Sequence, residues 1–255
     1  MIQVIHVTKK YNGYTAVNDL TFEIPKGEIF GFVGKNGAGK TTTINMLTGV
    51  IEPTKGKIYY FEHRFHAESL ELKKRMGVVP ATGGLFPYLK VKEHLYLFAR
   101  LYGVKKKEAR ERVQHLLDLF ELGKNANKLV YHLSSGMKKK LVFSCAVIHK
   151  PELLFLDEPF LGLDVESVYI IKEILRNLQK NGTTIFITSH NLYLVEELCS
   201  LVGVIENGKL ILFDSMEEVK KRLKVKYPDV KGSILEKLIL KKKKDSVVTV
   251  DLNWI

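Results

Sequence analysis

The residues Gly34-Lys35-Asn36-Gly37-Ala38-Gly39-Lys40-Thr41 match the pattern G-x-x-x-x-G-K-[ST], and they lie between the apolar run EIFGFV and the segment TTTINML. Glycines let such a loop fold so that its backbone N–H groups converge on phosphate oxygens, and a helix starting just after it adds its positive end. In that pattern Lys40 reaches the β- and γ-phosphates and the Thr41 hydroxyl ligates Mg²⁺. Cleaving a phosphate held this way requires a second Mg²⁺ ligand at the end of an apolar strand. Leu153-Leu154-Phe155-Leu156-Asp157 supplies four hydrophobics and then an aspartate, with Glu158 next. Side chains alternate in direction along a strand, so Asp157 is expected to hold the metal, indirectly through water, while Glu158 faces the γ-phosphate and polarises the attacking water.

Positioning these groups calls for an α/β fold. Short apolar runs rich in β-branched and aromatic residues alternate with helical patterns, as in a sheet buried on both faces. Strands are expected at Ile2–Val7, Leu20–Ile24, Glu28–Val33, Lys57–Phe61, Met76–Pro80, Leu153–Leu156, Thr183–Ile187, Leu201–Ile205 and Lys209–Phe213. Helices are expected at Lys40–Leu47, Val91–Leu101, Lys107–Leu119, Gly136–Val147, Val165–Leu178 and Asn191–Leu198. From about Leu89 to His132 the patterns are helical only, which marks an inserted subdomain, taken to end near residue 150.

The chain has 255 residues and a formal charge of +12, which suits an anionic partner or setting: nucleotide, nucleic acid or a lipid surface. Charge alone does not choose among them. Cys145 and Cys199 each sit in an apolar segment and read as buried, inert thiols rather than a disulfide or zinc site. The N-terminus lacks a basic-then-apolar signal segment, and no apolar stretch reaches the roughly 20 residues that span a bilayer. The chain is therefore expected to be cytosolic unless a partner holds it to a membrane. Residues 215–255 carry 11 Lys or Arg against 6 Asp or Glu and end in VVTVDLNWI. This stretch reads as a solvated helix followed by a strand, with an anionic-lipid contact or a dimerisation element as alternatives.

Leu133-Ser134-Ser135-Gly136-Met137 precedes LLFLDEP in the order expected of the LSGGQ-like signature of the ATP-binding cassette (ABC) family, with Met137 standing 17 residues before Leu154. The chain resembles a nucleotide-binding subunit of an ABC transporter over about residues 2–220. Other elements follow the same order. Tyr11 stands 29 residues before Lys40, where the family's aromatic stacks on adenine; Gly162-Leu163-Asp164 follows Glu158 as the D-loop; His190, in FITSHNL, stands where the family's switch histidine contacts the γ-phosphate. On the residues alone, a surface aromatic is the minor alternative for Tyr11 and a helix cap for His190, while Asp164 can cap the helix starting at Val165 as well. The resemblance implies an α/β P-loop NTPase with an N-terminal antiparallel β-subdomain, a RecA-like core and the inserted α-helical subdomain, within an ABC domain of residues 1–220 and a basic extension at 221–255. It implies ATP and Mg²⁺ as ligands. Gly34, Asn36, Gly37, Ala38, Gly39, Lys40, Thr41 and Thr42 would cradle the nucleotide with Tyr11, Thr41 and Asp157 would hold the metal, and Lys40, Glu158 and His190 would serve catalysis. Ser134, Gly136 and Asp164 would complete the site of a second nucleotide-binding subunit bound head to tail.

Three positions depart from the family. The glutamine expected after the Met76–Pro80 strand is replaced by Ala81, which has neither donor nor acceptor in its side chain, and the signature carries Ser135 and Met137 for a glycine and a glutamine. Leu95, Phe98, Leu101 and Tyr102 lie at helical spacing, either as the helical subdomain's own core or as the surface on which an ABC membrane subunit docks. The motif stretch from Gly27 to Gly56 resembles export systems of the ABC-2 kind, which implies a separate transmembrane permease, a position at the cytoplasmic face of the membrane and no nucleic-acid partner. A soluble ABC ATPase not coupled to transport is the alternative. A nucleic-acid module rests on basicity alone, with no base-reading or stacking motif beside it.

Overall fold

The computed structural model describes residues 1–226 and residue 235; the reading of the segment ending in VVTVDLNWI as a strand, an anionic-lipid contact or a dimerisation element lies outside the described residues. Strands β1 (Ile2–Tyr11) and β2 (Tyr14–Ile24) form a hairpin whose two turn residues, Asn12 and Gly13, both have positive φ, 39° and 86°. Asn-Gly is the dipeptide that such a two-residue turn favours. The sequence reading, which followed only the apolar runs, stopped β1 at Val7 and began the second strand at Leu20. β3 (Ile29–Val33) leads through the phosphate-binding loop into α1 (Lys40–Leu47), and β4 (Lys55–Tyr60), β5 (His63–Arg64), α2 (Leu70–Lys74) and β6 (Met76–Val79) follow. Then come α3 (Val91–Leu101), α4 (Lys106–Leu119) and α5 (Ser135–Val147). The chain continues with β7 (Leu153–Asp157), α6 (Val165–Lys180), β8 (Thr184–Ser189), α7 (Leu192–Leu198), β9 (Leu201–Glu206), β10 (Lys209–Ser215) and α8 (Met216–Lys226). α8 runs across residue 220, where the sequence placed the edge of the ABC domain.

Two sheets result. The first is antiparallel, in the order β2-β1-β4-β5; the second, in the order β10-β9-β3-β8-β7-β6, is parallel except for β10. Period-two alternation divides each central strand between two cores. In β7, Leu153 and Phe155 face the layer shared with the antiparallel sheet, and Leu154 and Leu156 face the helices. The inter-sheet layer is aromatic: Phe22 lies 5.5 Å from Phe30 and 6.4 Å from Phe186, centroid to centroid. Burial on both faces is why these strands read as unbroken hydrophobic runs.

The helical subdomain packs into one core with the helix-facing side of the central strands. α3 buries Val91, His94, Leu95 and Ala99, one stripe at three- and four-residue spacing. Of the four apolar residues singled out in the sequence, Leu95 is in this core, Phe98 is half-buried, Tyr102 stacks on His149 at 3.8 Å and Leu101 is exposed. His94 Nε2 accepts the Phe86 N–H at 3.0 Å, leaving Nδ1 to face Cys145 Sγ at 3.4 Å. Burial lowers the His94 pKa from 6.5 to about 4, so the ring is neutral. Cys145 and Cys199 are both buried and free, and burial pushes both thiols upward.

Candidate active site

The carboxyl ends of three adjacent parallel strands converge on one cavity. β3 delivers the phosphate loop, β7 delivers Asp157 and Glu158, and β8 delivers the chain to His190. Open parallel sheets place their ligand crevice at this edge. The cavity, about 360 Å³, is lined by Asn36, Gly37, Gly39, Lys40, Thr41, Thr42, Asp157 and Glu158, together with Tyr14 and Ala16 from the hairpin. Gly39, at φ 110°, precedes α1, and a Cβ there would stand 2.7 Å from the Ala16 carbonyl oxygen. Only glycine lets the loop run this close to β2. Lys40 is buried to 6% exposure, and its Nζ donates to the carbonyls of Gly34 at 2.7 Å and Lys35 at 3.2 Å. Buried ammonium groups need such partners, and phosphate oxygens are competitive ones.

Asp157 and Glu158, expected to serve one site, line the same cavity. Asp157 ends β7, but Glu158 leaves the strand at φ 50°, and that left-handed turn brings both side chains to the same cavity. A non-glycine residue held there costs about 1–3 kcal/mol, a strain typical of functional positions. Asp157 is 3% exposed and its Oδ1 accepts from the Thr188 hydroxyl. Glu158 spans the site: Oε1 is 3.8 Å from Lys40 Nζ, while Oε2 is 2.9 Å from His190 Nδ1 and accepts the His190 N–H at 3.3 Å. His190 is not the cap of α7; Asn191 is, its side-chain oxygen accepting from Leu194 N–H at 3.3 Å. The donor set suits Mg²⁺, since the Thr41 hydroxyl and the Asp157 carboxylate are hard oxygens on one cavity wall.

The family model described as "ABC transporter" matches residues 17–161. The chain belongs to the ABC transporter family. It is 38% identical over 221 residues to the ABC transporter ATP-binding protein YhaQ of Bacillus subtilis, covering 87% of this chain and 73% of that one. Against the bacitracin transport ATP-binding protein BcrA of Bacillus licheniformis it is also 38% identical, covering 87% and 72%. The solved structure of an ATP-binding subunit of an ABC transporter superposes with a TM-score of 0.86 at 29% identity, covering 94% of this chain and 98% of that one. The protein is thus an ABC ATPase with the ABC fold.

The residues read from the sequence as the ABC signature lie elsewhere on the surface. Ser134 caps α5, its Oγ accepting the Met137 N–H at 3.3 Å, and neither it nor Gly136 lines the phosphate cavity of its own chain. Asp164 caps α6: Oδ1 accepts from the Ser167 N–H at 2.8 Å and from its hydroxyl at 2.6 Å, and these bonds, with help from Lys140, hold its pKa down at about 2. Gly34 and Ala38 lie at the back of the loop against Ile205. Tyr11 ends β1 with Lys9 Nζ 5.1 Å from its ring centroid, and it is not among the cavity-lining residues. The aromatic that does line it is Tyr14, across the hairpin turn, which the sequence reading missed. Its signal was available in the Asn-Gly turn, which sets Tyr11 opposite Tyr14.

Proposed function

We propose that this ABC ATPase hydrolyses ATP with Glu158 as general base and thereby energises a membrane transporter, as one of two nucleotide-binding subunits docked on a separate permease at the cytoplasmic face. The observation that carries the reading is the Glu158 carboxylate bridging the buried Lys40 and His190 beside Thr41 and Asp157. Lys40 binds the β- and γ-phosphates, exchanging the Gly34 and Lys35 carbonyls for phosphate oxygens. Glu158 takes the proton of the attacking water, and His190, donating from Nδ1, fixes the direction of that carboxylate; its Nε2 would donate to the γ-phosphate when both ring nitrogens carry hydrogen. Thr41 and Asp157 would hold Mg²⁺, which when bound neutralises charge on the phosphates. Tyr14, on the cavity wall, and Tyr11, paired with it across the hairpin turn, would offer their rings to the adenine.

Ser134, Gly136 and the start of α5 form a helix end suited to phosphate but without metal ligand or base, and they lie outside the chain's own cavity. A second subunit bound head to tail supplies the ATP for that end. Hydrolysis then removes the bridging γ-phosphate and releases the pair, which converts chemistry into movement. The likeness to a bacitracin transport ATP-binding protein supports transport, and the ABC-2-like motif stretch supports export. Among the described residues no helix is long and apolar enough to cross a membrane, which fits a role beside a separate spanning subunit.

Glu158→Gln is the test. The variant is expected to bind ATP, to accumulate as an ATP-dependent dimer by size-exclusion chromatography with light scattering, and to release little phosphate. Wild-type turnover in that variant would overturn the assignment of Glu158.

A further inference from the structure

Three consecutive lysines follow the signature, and the structure gives them different partners. Lys138 Nζ donates to the Tyr131 carbonyl at 3.2 Å, within the helical subdomain. Lys139 and Lys140 instead reach across to the loop that leaves β7. Lys139 Nζ donates to the Leu161 carbonyl, and Lys140 Nζ stands 3.7 Å from Asp164 Oδ2, its side chain only 17% exposed. That loop is folded back on the catalytic carboxylate: the Leu161 N–H donates to the Glu158 carbonyl at 3.3 Å. Two hydrogen bonds to the main chain of one residue, Leu161, therefore connect the Lys139 ammonium to the Glu158 backbone.

On the same face the two segments lie within ordinary van der Waals reach. A Cβ on Gly136 would lie 3.9 Å from the Gly162 carbonyl oxygen, and a Cβ on Gly162 would lie 3.7 Å from Lys139 Nζ. The first turns of α5 thus rest on residues 161–164. A cavity of about 440 Å³ separates this contact from the loop after β6, and its walls include Ala81, Thr82, Lys139 and Glu158. Among the described residues, no hydrogen bond crosses it from residues 81–84 to the loop after β7. The lysines are polar ties where Ala81 can make none.

We propose that Lys139 and Lys140 are positioning residues for hydrolysis: they clamp the 158–164 loop to the signature helix and so hold the left-handed Glu158 in its productive direction. The proposal rests on the reading of Glu158 as base. The physical need is plain, because Glu158 sits at a strained φ of 50° and a strained backbone persists only where its surroundings over-determine it. Lys139 supplies a charge-assisted bond to a carbonyl, and Lys140 an ion pair to the cap of α6. It also follows that displacing the first turn of α5 displaces the Glu158 loop in the same chain.

The test compares the full-length wild type with Lys139→Met/Lys140→Met and Lys139→Arg/Lys140→Arg, and with Glu158→Gln as reference. The Met pair is expected to lose about tenfold in kcat, with KM for ATP changed less than about twofold, and the Arg pair to recover most of the loss. Amide hydrogen exchange over residues 159–164 should quicken in the Met pair and return toward wild type in the Arg pair. Should the Met pair fail to fold, the single variants Lys139→Met and Lys140→Met are read by the same exchange. A Met pair with wild-type kcat and unchanged exchange overturns the clamp, as does an Arg pair no better than the Met pair. Turnover retained in Glu158→Gln would sink the base assignment instead, so the two failures are distinct.

Discussion

The two ends of this chain that are proposed to face phosphate are built in opposite ways. At the β3–α1 end the groups are buried and already engaged: Lys40 bonds two carbonyls and faces Glu158, while Asp157 is held by Thr188 and Glu158 by His190. At the start of α5, Ser134 is exposed and spends its oxygen capping its own helix. In the proposed mechanism the first end supplies every kind of group that phosphoryl transfer requires, a cation, metal ligands and a base. The second carries a helix dipole and free N–H groups and nothing that could run a reaction. Completeness at one end and incompleteness at the other is what makes hydrolysis depend on a second chain in the proposed mechanism.

Substitutions should separate the ends. Lys40→Ala removes the charge-assisted contact at the complete end and is expected to cost about 2–5 kcal/mol in ATP affinity, read by titration calorimetry. Unchanged affinity would break the comparison. Ser134→Ala is expected to leave the ATP affinity of the isolated chain intact and to lower chain stability by about 1 kcal/mol through the lost cap, measured by thermal unfolding. ATP-dependent dimerisation should be lost in the same variant. A last effect concerns the scaffold behind the helix that Ser134 caps. His94, packed against Cys145 of α5, has a folded pKa of about 4 against 6.5 for the free residue, so the unfolded chain binds its proton first as pH falls. Stability tied to this ring is complete above about pH 6.5 and is lost as pH drops toward 4, at about 1 kcal/mol per pH unit. His94→Gln should flatten that part of the slope in denaturant titrations from pH 7 to 5, and an unchanged slope would place the titrating group elsewhere.

Much of the first end was legible because its motif is local. Gly34 to Thr42 are contiguous, and the flanking EIFGFV and TTTINML announce the strand and helix that the loop needs. The run from Leu153 to Asp157 was legible for the same reason, as a strand buried on both faces. The hairpin was signalled too, by Asn12-Gly13, yet β1 past Val7 and β2 before Leu20 alternate with polar residues and escaped a search for apolar runs. β5 and α2 span only two and five residues, too short to show a period.

What the sequence by itself determined is the chemistry available: a phosphate loop, a strand-end carboxylate pair, a histidine after the Thr184–Ser189 strand and a serine-capped helix, each set by residues adjacent in the chain. Which of these meet was decided by the tertiary structure. Glu158 reaches Lys40 and His190 because parallel pairing aligns the carboxyl ends of β3, β8 and β7, and because the chain turns left-handed at one residue. Lys139 and Lys140 find Leu161 and Asp164 because α5 packs its first turns over the next loop, a contact between segments more than twenty residues apart that no local pattern encodes.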